Sequence, residues 1–183
     1  FLRPEIWIPM TGVSAAAVGF ALKKTGGEIE ESRMPVMGVS ASFIFAAQMV
    51  NFPVAGGTSG HLMGAALATA LLGVWPGMLV MTAVVLMQAL LFQDGGLEAL
   101  GANVFNMAIA GCLVSGAVMH VFGRIGQRAV YFSVAVAAWL SVVAASVLCA
   151  SELALSKTSP AAVVIPAMAA IHALIGAFEG VIT

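Results

Sequence analysis

The sequence predicts an all-α polytopic membrane protein, a seven-helix transmembrane bundle with one short helix over residues 62–74. Three observations carry that prediction. Of 183 residues, 61% are hydrophobic and 8% charged, against about 25% charged in soluble domains. Mean hydropathy is +1.07. Sixty consecutive residues, Met34–Gln93, contain no Asp, Glu, Lys or Arg. Seven basic and eight acidic side chains are too few to cover a water-facing surface of this size. The formal net charge of −1 gives no sign of nucleic-acid binding or of adsorption to a membrane surface.

Five apolar runs are long enough to cross about 30 Å of hydrocarbon: Ile6–Leu22, Met34–Phe52, Asn103–Phe122, Ala129–Ala150 and Ala161–Thr183. The stretch from His61 to Phe92 is longer, and as one helix would reach about 48 Å. "GVWPG" (Gly73–Gly77) divides it. Gly73 suits a helix end, and Pro76 suits the first turn of the next helix, where a missing N–H costs nothing. The division gives a short helix over 62–74 and a full one over 76–92, making seven in all. The two cysteines, Cys112 and Cys149, lie within apolar runs and read as small hydrophobes.

Charge placement sets the sides. With seven spans and an external amino terminus, Lys23, Lys24, Arg33, Arg124 and Arg128 fall inside, and Arg3 and Lys157 outside. That five-to-two bias agrees with the positive-inside rule; six spans give four to three, no bias at all. The amino terminus and the loops over 52–61, 93–102 and 151–160 then share the external side. Uncharged polar residues crowd that end: Gln48 and Asn51, Gln88, and Asn103 and Asn106. The pairs three apart share a helix face, and such amides are costly in a bundle unless they bond each other or a site.

His61 comes directly after "NFPVAGGTSG", a loop whose Gly56, Gly57 and Gly60 permit a tight turn. On spacing alone it is either a helix-capping histidine or a metal donor, with Thr58 and Ser59 placed to bond its second ring nitrogen and fix the donor one. One imidazole is a poor metal site by itself, since Ni(II) or Cu(II) takes about four planar nitrogens. His172 and Glu179 lie two turns apart on the last helix and read as a structural or partner-coupling pair. That topology sets Glu179 toward the cytoplasm, away from the loops. Helix-end placement accounts for His120, and the eleven scattered methionines read as packing residues.

Three stretches, "FIFAAQMVNFPVAGGTSGHLMGAALATALLG", "QALLFQDGGLEALGANVFNMAIAG" and the terminal "HALIGAFEGVIT", strongly resemble the substrate-capture membrane subunit of nickel/cobalt energy-coupling-factor transporters, the CbiM/NikM type. The resemblance runs from Phe1 to Thr183. It implies a single transmembrane capture domain over 1–183, multi-pass in the cell's inner (plasma) membrane, that takes Ni(II) or Co(II) from outside as transported substrate, with no cofactor. It implies partners as well: a transmembrane coupling subunit, cytoplasmic ATPase subunits and often a small accessory membrane subunit. In that family the ion is held by the terminal amine, the backbone nitrogen and imidazole of a histidine at position two, and a histidine of the Gly-rich loop. Only the last maps here, onto His61; Thr58, Ser59, Gln48, Asn51, Gln88, Asn103 and Asn106 are candidates to brace it. Family chains place Met-His-Ile-x-(Asp/Glu)-Gly before Phe-Leu, so the expectation is that both native ends are trimmed and that three donors precede Phe1. A deprotonated backbone nitrogen among the donors implies weaker binding in acid. Some cobalt-associated members carry Ser-Cys-Ser-His-Pro in this loop; Gly57-Thr58-Ser59-Gly60-His61-Leu62 stands here and leans toward nickel.

Two rival functions fit less well. An ATPase-independent secondary transporter or channel for a small cation calls for paired ionisable groups at the membrane midplane, where only His172 falls. A vitamin-binding subunit of the same transporter class calls for an aromatic-lined cavity, and aromatics are 8% of the chain. No nucleophile–base pair sits at a spacing that suggests an enzyme.

Overall fold

The computed structural model describes residues 2–26, 33–54, 58–124 and 127–183. Among the described residues there are seven helices: α1 (Pro4–Thr25), α2 (Met34–Gln48), α3 (Ala65–Leu72), α4 (Val74–Phe92), α5 (Leu100–Gly123), α6 (Gln127–Leu155) and α7 (Ala161–Ile182). Five of them, α1 and α4–α7, are long and apolar enough to cross a membrane. Their outward faces, with those of α2 and α3, carry residues such as Val39, Phe43, Leu71, Leu91, Phe132 and Phe178, all exposed as a lipid-facing surface demands.

The expected loop at 52–61 is instead a two-stranded antiparallel hairpin, β1 (Asn51–Val54) and β2 (Thr58–His61), pairing Asn51 with His61. The expected short helix is shorter still: α3 has eight residues, starting at Ala65 rather than Leu62. Eight residues rise about 12 Å, less than half a bilayer. Its direction is set by α5, since Gly111 packs on Ala65 and Gly116 on Thr69 and Val74. The hairpin brings the chain back beside Asn51, and only the eight residues of α3 carry it on as helix. Irregular backbone at membrane depth survives only inside protein, and the stretch leading into α3 is packed that way, with Met63, Ala65, Ala66 and Ala68 buried, while Asn51, Phe52 and Pro53 of β1 are exposed.

The break between α3 and α4 falls where the sequence places it. Gly73 turns the chain at φ +87°, and Pro76 stands in the first turn of α4. Both α4 and α5 contain wide π-helical turns, Gln88–Phe92 and Val104–Ala110. Such an extra residue per turn re-aims side chains and recurs at functional sites; here it serves Gln88 and Asn106. α6 runs on to Leu155, so the polar loop expected from 151 starts five residues later.

Buried serines spend their hydroxyls on their own helix, as Ser133, Ser141 and Ser146 do on carbonyls three residues back. Ser14 is different: its Oγ donates across to the Gly101 carbonyl at 2.6 Å. At that crossing of α1 and α5 a Cβ on Gly101 would lie 2.7 Å from the Thr11 backbone nitrogen. Gly101→Val is expected to lower unfolding stability in detergent by about 3 kcal/mol, since a rigid backbone must move aside. A variant as stable as the parent would show that α1 shifts freely there.

Candidate functional site

A cavity of about 900 Å³ opens where Leu2, the 94–99 connection and Thr158–Ser159 meet, and runs inward to His61 and His172. Its walls come from α4, α5, α6, α7 and β2. On α6 the lining residues Val142, Ala145, Ser146, Cys149, Glu152 and Leu153 repeat at three- and four-residue spacing, one helix face turned to the cavity.

His61 ends β2 half-buried in this cavity. Its Nδ1 lies 2.7 Å from the Leu62 carbonyl oxygen. A carbonyl only accepts, so in the neutral ring Nδ1 carries the proton and Nε2 the lone pair, the arrangement a metal-ligating imidazole requires. The sequence assigned that bracing to Thr58 and Ser59; the next residue's backbone does it instead. Ser59 does line the cavity, whereas Gly56, Gly57 and the Thr58 side chain lie outside the described residues.

His172 is buried, and its Nδ1 bonds the Met168 carbonyl at 2.8 Å. A Cβ on Gly60 would come within 3.2 Å of His172 Nε2 and 2.7 Å of Ile175, so β2 lies directly against α7. The absence of a side chain at 60 lets the hairpin reach that depth.

Glu179, read from the sequence as structural or partner-coupling, makes a structural contact: its carboxylate accepts the backbone N–H groups of Met63 at 2.6 Å and Gly64 at 2.8 Å, just past the hairpin. These donors lead into α3, whose first amides have no intrahelical partner and whose dipole places positive charge there. A carboxylate fully buried beside a half-helix start satisfies both.

The amides divide. Gln48, wholly buried at the end of α2, donates from Nε2 to the Met63 carbonyl and accepts at Oε1 from Gln88 Nε2 at 2.8 Å. These two residues tie α2, the chain leading into α3, and α4 into one network. Asn106 donates to Glu152 Oε2 at 2.9 Å. Asn103 lines the cavity half-buried, next to Gly95 of the 94–99 connection. Asn51 is exposed and does not line it. Gln48→Met is expected to cost about 1–3 kcal/mol of stability, because the Met63 carbonyl and Gln88 amide each lose a buried partner; an unchanged unfolding midpoint would refute that network's weight.

Glu152, Asp94 and Glu98 line the cavity, yet sequence reasoning set them in loops without function. The signal for Glu152 is present: it extends the spacing of Ala145 and Cys149, and the stop comes only at "SKTSP". Among the described residues no cluster of three or more His, Cys, Asp or Glu could hold a metal ion. His61 and His172 are the two imidazoles that line the cavity among the described residues.

A family model described as "Cobalt uptake substrate-specific transmembrane region" matches residues 1–183. A candidate metal transport protein of Haloquadratum walsbyi is 38% identical over 172 residues, covering 93% of this chain and 78% of that protein. A candidate fused nickel transport protein, NikMN, of Archaeoglobus fulgidus is 39% identical over 173 residues, but the chain spans just 57% of its length. A crystal structure of a truncated transition metal transporter superposes with a TM-score of 0.93 at 31% identity, covering 99% of this chain and 91% of that one.

Proposed function

We propose, from the premise that this chain belongs to the CbiM family of cobalt uptake substrate-specific transmembrane regions, that its cavity is the chamber in which Ni(II) or Co(II) is captured. The observation that carries the reading is His61: its Nδ1 sits on the Leu62 carbonyl, which turns Nε2 to a cavity that Leu2 also lines. Leu2 lines the same cavity as the imidazole, so nitrogen donors carried at the protein's amino terminus would share that space. Three nitrogens from a terminal amine, the following amide and its imidazole form fused chelate rings, and His61 adds the fourth, a set that suits Ni(II). The carboxylates of Asp94, Glu98 and Glu152 draw a cation in, and among the described residues no Lys or Arg lines the cavity to oppose it.

The chain then works as one capture domain with its cavity mouth and amino terminus on the external side of the inner (plasma) membrane. It has no catalytic step of its own. Energy comes from cytoplasmic ATPase subunits through a transmembrane coupling subunit, with a small accessory membrane subunit beside them. Ser59 and Asn103 line the chamber on β2 and α5, while Gln48, Gln88 and Glu179 hold the start of α3. The test is ion binding by the full-length protein: one Ni(II) or Co(II) per chain, not displaced by Mg(II) or Ca(II), and lost when His61 is replaced. Binding indifferent to His61 would overturn the reading, as would uptake in vesicles that lack any ATPase subunit.

A further inference from the structure

Asn106 is 2% exposed, and its Oδ1 has no hydrogen-bond partner among the described residues. Its Nδ2 is committed to Glu152 Oε2 at 2.9 Å. The amide cannot turn over to relieve this, because its oxygen would then face a carboxylate oxygen. Buried amide oxygens are almost always satisfied in native proteins, so this one asks for a partner of another kind. Beside it stands the Glu152 carboxylate, 8% exposed on the same cavity wall. Ionisable groups at such depth are rare and face a water-filled cavity or a pathway.

We propose that Asn106 Oδ1 and the Glu152 carboxylate form an oxygen subsite for a partly hydrated divalent cation, separate from the nitrogen site at His61. Asp94 and Glu98 also line the cavity, so an arriving ion passes from carboxylates at the mouth to this pair and then to His61. Two protein oxygens leave most of the coordination sphere to water, which a cavity of about 900 Å³ accommodates. A hard ion that keeps several waters is the class such a pair binds. The binding is weak, and passage requires that, since a relay must release what it holds. This proposal rests on the cavity being the capture chamber.

Mn(II) is the probe, because it favours oxygen donors and free Mn(II) is counted by electron paramagnetic resonance. In full-length His61→Ala protein, where the nitrogen site is removed, one Mn(II) is expected to bind at ~1 mM, in the range of weak oxygen sites. Glu152→Gln keeps an acceptor for Asn106 and is expected to weaken Mn(II) at least ten-fold, while Glu98→Gln at the mouth changes it less than two-fold. Asn106→Asp adds a second carboxylate and is expected to tighten Mn(II) several-fold, a gain that misfolding cannot produce. Mn(II) binding equal in the parent and Glu152→Gln, an equal loss in Glu98→Gln, or weaker binding in Asn106→Asp overturns the subsite. Nickel binding indifferent to His61 overturns the capture reading alone, since the Mn(II) series does not depend on it.

Discussion

Full-length protein carrying His61→Ala is expected to bind Ni(II) about a hundred-fold more weakly than the parent, or worse. Transition-metal sites with four ligands hold apparent free energies of about 10–16 kcal/mol, so one ligand contributes about 3 kcal/mol, and each 1.4 kcal/mol is ten-fold. The loss is expected to be specific. His61 is half-buried and its ring bonds the carbonyl of the next residue, so the metal-free variant should unfold at nearly the parent's temperature. Isothermal titration for affinity and a thermal scan without metal check both halves. A variant that keeps parental affinity, or one that loses affinity only because it unfolds, would remove His61 from the ligand set.

Glu179→Ala is expected to have the larger effect on stability. Its two carboxylate oxygens each accept one backbone N–H, from Met63 and Gly64, inside an enclosed part of the bundle. Hydrogen bonds to a charged group contribute about 1.5–3 kcal/mol each, so removing both costs about 3–5 kcal/mol, and α3 loses the anion at its positive end. Glu179→Gln is informative because it is nearly isosteric. One of its two terminal atoms becomes an NH₂ donor facing an N–H donor, so about half the loss should remain. Denaturant titration in detergent measures this. Amide hydrogen exchange at 62–65 should rise in both variants. A fully stable Glu179→Gln protein would mean that the amides find another acceptor and that the carboxylate does not hold this helix start.

The two largest effects concern residues of unequal legibility. His61 stood out as a candidate donor because glycines, a proline and hydroxyls interrupt an apolar run just before it. Glu179 was readable as a buried carboxylate on one face with His172, but its partners were not, since they are backbone atoms 116 and 115 residues away in sequence. Thr58 and Ser59 looked like natural braces for the imidazole, yet the Leu62 carbonyl holds Nδ1. Side-chain chemistry suggests partners that have side chains, and says nothing of a carbonyl one residue on. Glu152 was placed in a loop because helix ends are poorly marked where a charged residue continues an apolar face. Its pairing with Asn106 joins two helices whose rotation the sequence does not state.

The sequence alone determined the solvent this protein folds in, the division into seven helices, and the break at Gly73. Composition, the length needed to cross hydrocarbon, and the backbone preferences of glycine and proline account for those, and all of them are local. What only the tertiary structure decided is that a hairpin stands where a loop was expected and leads into a half-helix of eight residues. An apolar run looks the same whether it is helix throughout or turns into a strand, because lipid requires only that its backbone be satisfied. Here β1 and β2 pair with each other, while Glu179 and Gln48 satisfy the chain leading into α3, with contacts that exist only once α2 and α7 are packed around it.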